Sequence, residues 1–208
     1  MLHTFAHFGQ SMDKQTFLNR FLLQNRFAAA KEDLHKDPWH LNQKSLKKAA
    51  VLLPLIERQN GLNILFTERA LHLRHHPGQI SFPGGRYEAS DNSLQGTALR
   101  ETEEEIGILH SQVDIFGSLP GLPTISGFVV SPFLGFVCSE HNIQIDQQEV
   151  RSVFEVPLPY LLDSDNFYKQ HLFANKKRHF TYCIPYQNHL IWGATAQMLK
   201  NLQEHLAG

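Results

Sequence analysis

Residues 82–108 read FPGGRYEASDNSLQGTALRETEEEIGI, and the rest of the 208-residue chain is organised around this stretch. It passes from a glycine turn through a polar loop into one short helix with four glutamates near its end. Asn92, followed three residues later by Gln95, predicts a capping box at the helix start. Gly107 predicts a C′ stop. Between them Ala98, Leu99, Thr102 and Ile106 recur at helical spacing and define an apolar side. At 100° per residue, Glu101, Glu104 and Glu105 fall within about 100° of one another on the opposite side, and Glu103 points away from them.

Acids at that end oppose the partial negative charge of a helix C-terminus. Glu101 and Glu105 also repel each other at i,i+4. A solvated acidic face is the bland explanation of such a run. Two features set this one apart: the acids stand at the unfavourable end, and a Pro-Gly-Gly turn just upstream lets backbone N–H groups approach an anion. A hard divalent cation bound by oxygen ligands resolves the conflict. Arg100, one turn before Glu104, is placed to hold that carboxylate.

The run Arg100-Glu101-Thr102-Glu103-Glu104-Glu105-Ile106-Gly107-Ile108 resembles the second half of the Nudix box: Gly, five residues, Glu, seven residues, then Arg-Glu-U-x-Glu-Glu-x-Gly-U, with U apolar. Five residues separate Gly85 from Asp91, where the box has Glu, and eight rather than seven separate Asp91 from Arg100. Thr102 is a weak U. This expansion with Asp resembles the coenzyme A pyrophosphatase branch. That branch carries a second signature, Leu-Leu-Thr-x-Arg-Ser, three residues, Arg, three residues, Gly, three residues, Phe-Pro-Gly-Gly. Here it reads Leu65-Phe66-Thr67-Glu68-Arg69-Ala70, Arg74, Gly78 and Phe82-Pro83-Gly84-Gly85, with Phe66 and Ala70 departing. A looser likeness continues to Trp192-Gly193-Ala194-Thr195.

The resemblance implies an α/β fold, a Nudix-type α/β/α sandwich with a mixed sheet. It implies Mg²⁺ or Mn²⁺ on Glu101, Glu104 and Glu105, and a proton acceptor that is Glu104 or Glu149. Glu149 follows Asp146-Gln147-Gln148, a loop that in Nudix proteins often turns an acid toward the metals. The implied substrate is a small molecule, coenzyme A or a derivative, cut at its pyrophosphate into 4′-phosphopantetheine (or its acyl form) and adenosine 3′,5′-bisphosphate. Other Nudix substrates, such as ADP-ribose or an oxidised nucleotide, and a non-catalytic binding module remain as alternatives. The segment from Glu68 to Ile80 is basic, and Arg69 and Arg74 offer planar forks suited to phosphate oxygens. Gly84 and Gly85 shape the turn beside the metal and substrate.

The remaining chain fits one soluble globular domain, 42% hydrophobic and 19% charged. A net charge of −1 provides no global field for nucleic acid or an acidic membrane. The 13 histidines show no zinc spacing. Cys138 and Cys183, in apolar or aromatic runs, predict buried free thiols. With no signal peptide or spanning segment visible, the cytoplasm is the default compartment; a homodimer is compatible with all of this.

Residues 1–48 read as a helix-and-loop extension packing on a main domain, 49–208. In the extension, Phe17, Leu18, Phe21 and Leu22 form a helix face with Ser11 as its cap, and Met12 is a candidate natural start after eleven loosely ordered residues. In the main domain, strands are expected over 49–56, 62–67, 113–119, 127–137, 167–173, 179–186 and 189–192, and apolar residues recur at Val150, Val153, Phe154, Val156 and Leu158. Pro132 would mark an edge, a bulge or a strand end. A short helix is expected over 158–162 and an amphipathic one over 193–206. The aromatic strands near the end lie on the substrate side or in the core; runs of this kind are core more often than base-stacking surface.

Overall fold

The apolar run KKAAVLLPLIER forms the strand on which the other elements are laid. The computed structural model describes residues 11–28, 46–174 and 177–207. Helix α1 (Lys14–Ala28) comes first, then the long strand β1 (Lys47–Arg58). The chain turns back through Gln59–Asn60 into β2 (Gly61–Arg69), with Arg58 opposite Gly61. It continues through β3 (Ile80–Ser81), β4 (Gly84–Arg86) and α2 (Leu94–Ile106). Next come β5 (Val113–Ser118), β6 (Leu122–Pro123), β7 (Phe128–Val137), β8 (Val150–Pro157) and α3 (Leu158–Leu162). The last elements are β9 (Tyr168–Ala174), β10 (Lys177–Tyr186), β11 (His189–Trp192) and α4 (Ala194–Ala207).

The main path across the large sheet is β3-β2-β1-β7-β5, with β4 also on β1, β6 on β7 and β8 on β2. β1 and β7 run parallel and β1 and β2 antiparallel, so the sheet is mixed. A separate sheet has the order β11-β10-β9. Alternation along β1 builds the layers, because successive side chains leave a strand on opposite faces. Ala50 and Leu52 pack on Ala98 of α2. Leu53 and Leu55 enter the main core with Phe17 and Phe21 of α1 and with Met198, Leu199 and Leu202 of α4. With both faces covered, the central strand reads as one continuous apolar run. Helices on both sides of a mixed sheet are the expected α/β/α sandwich. Among the described residues no helix is long and apolar enough to cross a membrane.

Two prolines, Pro54 and Pro132, sit inside the central strands of the large sheet, a placement that normally breaks a ladder. A strand residue's N–H and C=O point to the same side, so the partner of its C=O locates the missing donor. Pro132 O accepts from Leu119 N–H at 3.0 Å, in the gap between β5 and β6 along β7. Pro54 faces the same side as Leu52, whose N–H goes to Pro83 O at 2.9 Å, in the gap between β4 and β2 along β1. Pro132 therefore marks neither an edge nor an end of its own strand. It lies where the neighbouring strand changes.

Other details depart from the sequence reading. The cap of α1 is Asp13, whose Oδ1 accepts Thr16 N–H at 2.7 Å, rather than Ser11. Met12 is buried, and its carbonyl accepts Leu62 N–H at 3.0 Å. The expectation of loose order falls, apart from Ser11, on residues 1–10, which lie outside the described residues. Cys183 is a buried free thiol, but Cys138 is exposed. It follows the last residue of β7, where the chain leaves the sheet. The aromatic strands are not wholly core either: Tyr168, Phe180 and Trp192 are exposed.

Candidate active site

β4 lies along β1 with Gly84 opposite Val51 and Gly85 opposite Ala50. At Gly84, φ is 151°, and a Cβ would stand 2.6 Å from Val51 Cα and collide with Ala50 O. At Gly85 a Cβ would lie 2.5 Å from both carboxylate oxygens of Glu101. The two glycines thus let the strand press against its neighbour while a carboxylate from α2 lies directly on the backbone.

The helix delivering that carboxylate starts and stops on side-chain and loop contacts. Its N-cap is Ser93, whose Oγ accepts Gly96 N–H at 3.0 Å, and not the predicted Asn92. Gly107 is the expected left-handed stop, with φ 74° and its N–H on Glu103 O at 2.9 Å. The last carbonyls of a helix need outside donors. Ile106 O accepts Gln144 N–H at 2.9 Å, and Glu105 O accepts Asp146 N–H at 3.0 Å. These bonds tie the loop that carries Glu149 to the end of α2.

The three predicted acids do not share one environment. Glu105 is only 5% exposed, on the side of Ala98, Thr102 and Ile106, where the sequence reading had placed it opposite them. Seven residues from Ala98 is 700°, nearly two whole turns, so Glu105 returns to the buried face. Its Oε2 accepts Gly84 N–H at 3.3 Å. Burial, offset in part by that bond, pushes its carboxyl up to about 8. Glu101 is also raised, chiefly by burial, with the Arg100 charge opposing. Glu104 points outward, with 59% of its side chain exposed and an ion pair to Arg100.

Arg100 is the hub. Its Nε donates to Asp91 Oδ1 at 2.8 Å, Nη1 to Glu104 Oε2 at 2.7 Å and Nη2 to Asp91 Oδ2 at 3.2 Å. Nη2 also stands 3.0 Å from Glu101 Oε1 and donates to Arg86 O at 3.3 Å. Asp91 is buried and further accepts Glu88 N–H and the Thr97 hydroxyl, at 2.9 and 2.8 Å. The Arg100 fork holds the Asp91 carboxyl well below the usual carboxylate range. Asp91 entered the sequence reading only as a departure from a motif. The structure makes it the buried clamp for Arg100, a role that required the fold of the 86–93 loop.

Glu149 stands just before β8, and Arg69 is the last residue of β2. Glu68 pairs with Ser152 but Arg69 with Val150, so Arg151 is an extra residue on β8. Such a bulge re-aims the residues beside it. It seats Glu149 next to the end of β2, where its carbonyl accepts Ala70 N–H at 2.8 Å. The charges of Arg69 and Glu149 both reach the buried Glu105, the first favouring and the second opposing its ionised form. Glu149 itself is exposed. Arg74 is exposed farther along the loop and makes no ion pair among the described residues.

As the side chains stand, no three acid, His or Cys groups among the described residues are gathered closely enough to hold an ion. The donors nevertheless suit a hard cation: all are oxygens, and among the described residues the buried Glu105 carboxyl has one hydrogen bond, a long one from Gly84. A nearby cation would favour its ionised form.

The fold and site define a mixed-sheet α/β sandwich with an oxygen-donor site where a glycine turn meets the end of a helix. A model of the NUDIX domain matches residues 46–175. The "Uncharacterized Nudix hydrolase NudL" of Salmonella newport is 36% identical over 186 residues, 89% of this chain and 92% of its own length. The protein of that name from Enterobacter sp. is 36% identical over 75% of this chain and 81% of its own. The chain belongs to the Nudix family. A crystal structure of a Nudix hydrolase from Alicyclobacillus acidocaldarius shares the fold, with a TM-score of 0.51 at 18% identity over 76% of this chain and 91% of that one.

Proposed function

We propose that the protein hydrolyses the pyrophosphate bond of coenzyme A or of a thioester derivative, leaving 4′-phosphopantetheine (or its acyl form) and adenosine 3′,5′-bisphosphate. The observation that carries this reading is the meeting of Glu101 and Glu105 on the Gly84-Gly85 backbone, with Arg69 and Glu149 in the same electrostatic field. Glu101 and Glu105 would hold Mg²⁺ or Mn²⁺, and Glu104 would join them by exchanging its exposed contact with Arg100. The bound ion supplies charge neutralisation at the phosphates and a more acidic water.

The chain's own groups do the rest. Arg100, fixed by Asp91, holds Glu101 over the turn. Arg69 and Arg74 bind phosphate oxygens of the substrate through their forks. Glu149 accepts the proton of the attacking water; it is preferred to Glu104 because it is exposed and not held by Arg100. The Leu65–Gly85 signature favours coenzyme A over ADP-ribose or an oxidised nucleotide.

Glu105→Gln keeps the shape and removes a ligand charge, so turnover should fall by orders of magnitude. Near-normal turnover at saturating Mg²⁺ would sink the metal assignment. Rates measured side by side on coenzyme A, dephospho-coenzyme A and ADP-ribose test the substrate, and a preference for ADP-ribose overturns it. Arg69→Ala should chiefly raise KM.

A further inference from the structure

A second feature opens on the opposite face of the sheet from α2. A cleft of about 90 Å³ lies between the β6–β7 turn and the β10–β11 edge, with Ile125, Phe180 and Trp192 among its lining residues. These three side chains are 68%, 45% and 37% exposed, unusual for large apolar groups gathered at one place. No charged side chain lines the cleft. Among the described residues, the Trp192 indole N–H and Gln197 Oε1 have no partner, since Gln197 spends its Nε2 on Asn201 Oδ1 at 3.0 Å.

The cleft is joined to the acidic turn in two ways. Along the sheet, Gly85 stands opposite Ala50, Ala50 opposite Ser131, and the neighbouring Val130 opposite Leu122, which lines the cleft. Three strand steps amount to about 14 Å. Across the sheets, Thr195 Oγ1 donates to Ile80 O at 3.1 Å, and the Gln79 side chain approaches Gly193. Gln79 O in turn accepts Arg69 N–H at 3.0 Å. A ligand whose phosphates meet Arg69 therefore has this cleft within the reach of an extended nucleotide.

We propose that the cleft walled by Ile125, Phe180 and Trp192 seats the purine ring of the substrate's nucleotide half. The proposal rests on the reading of the acidic turn as a diphosphate site and adds to it where the base goes. A neutral, flat, aromatic ligand matches an uncharged slot bordered by aromatic rings, because stacking needs only a π face. The indole N–H offers a donor to a ring nitrogen and Gln197 Oε1 an acceptor to an exocyclic amine. Lys169 Nζ lies 5.3 Å from the centroid of the Phe180 ring, so one face of that ring already carries a cation.

The chain has two tryptophans, so in a Trp39→Phe background Trp192 alone reports. With Mg²⁺ present, adenosine 5′-diphosphate should quench its fluorescence saturably, inorganic pyrophosphate should not, and Phe180→Ala should weaken the response. No quenching by millimolar adenosine 5′-diphosphate, or equal quenching by pyrophosphate, overturns the cleft assignment. In turnover, Ile125→Ala with Phe180→Ala should raise KM about tenfold or more with kcat within about threefold. An unchanged KM in an active enzyme overturns the cleft and leaves the diphosphate reading standing. If the wild type cleaves no diphosphate, the functional reading falls, and the quench alone decides the cleft.

Discussion

Glu105→Gln gives a stability prediction separate from catalysis. Burial among Thr102 and Ile106 raises the Glu105 carboxyl from 4.5 to about 8. The folded chain therefore holds this proton to higher pH than the unfolded chain does. The resulting stability is complete below about pH 4.5 and is lost as pH rises through about 8. At about 1.4 kcal/mol per pH unit, the full span reaches roughly 5 kcal/mol, of which roughly 2 falls between about pH 6 and 8. For a chain of this size that is a fall in Tm of roughly 4–8 °C. Glutamine still accepts the Gly84 N–H but cannot ionise. Thermal or urea unfolding of both proteins in chelator, at the two pH values, isolates the effect, because other groups cancel in the double difference. The wild type should lose stability that the variant keeps. Added Mg²⁺ at pH 8 should restore the wild type alone. Parallel pH dependences would refute the claim that Glu105 is buried and proton-linked.

Three further outcomes follow from the geometry. Arg100→Ala leaves Asp91 buried without its cation and should cost roughly 2–4 kcal/mol in urea unfolding; a loss under about 1 would mean the Asp91–Arg100 clamp is not formed. Gly85→Ala sets a methyl group against the Glu101 carboxylate, so kcat should fall at least about tenfold while Tm moves by only a few degrees; unchanged kcat would show that Glu101 does not depend on that surface. A thiol reagent should label Cys138 in the native protein within minutes and Cys183 only on unfolding; equal labelling rates would contradict their different burial.

Sequence reading reached far where a residue's conformation determines its identity. Gly107 had to end α2 because a left-handed residue follows the helix, and the hairpin at Gln59–Asn60 followed from turn chemistry between apolar runs. It failed where the third dimension decides. Asn92 and Ser93 are equally good caps on paper, and only the path of the 86–93 loop selects Ser93. Glu105 was grouped with Glu101 and Glu104 because the three lie within about 100° of one another, yet its angle is also close to that of Ala98 on the buried face. Pro132 read as an edge, a bulge or a strand end because nothing local reveals that the neighbouring strand changes beside it. Asp91 was visible as an oddity of spacing, but the four hydrogen bonds to its carboxylate come from groups scattered over 88–100.

The account's central claim is that the acids on the Gly84-Gly85 turn serve the cleavage of a diphosphate. The most direct measurement is to incubate the purified chain with coenzyme A and Mn²⁺ and weigh the products by mass spectrometry. The account predicts 4′-phosphopantetheine and adenosine 3′,5′-bisphosphate in equal amounts, and neither when metal is withheld. Intact coenzyme A after prolonged incubation, or the same products in the presence of chelator, would contradict it.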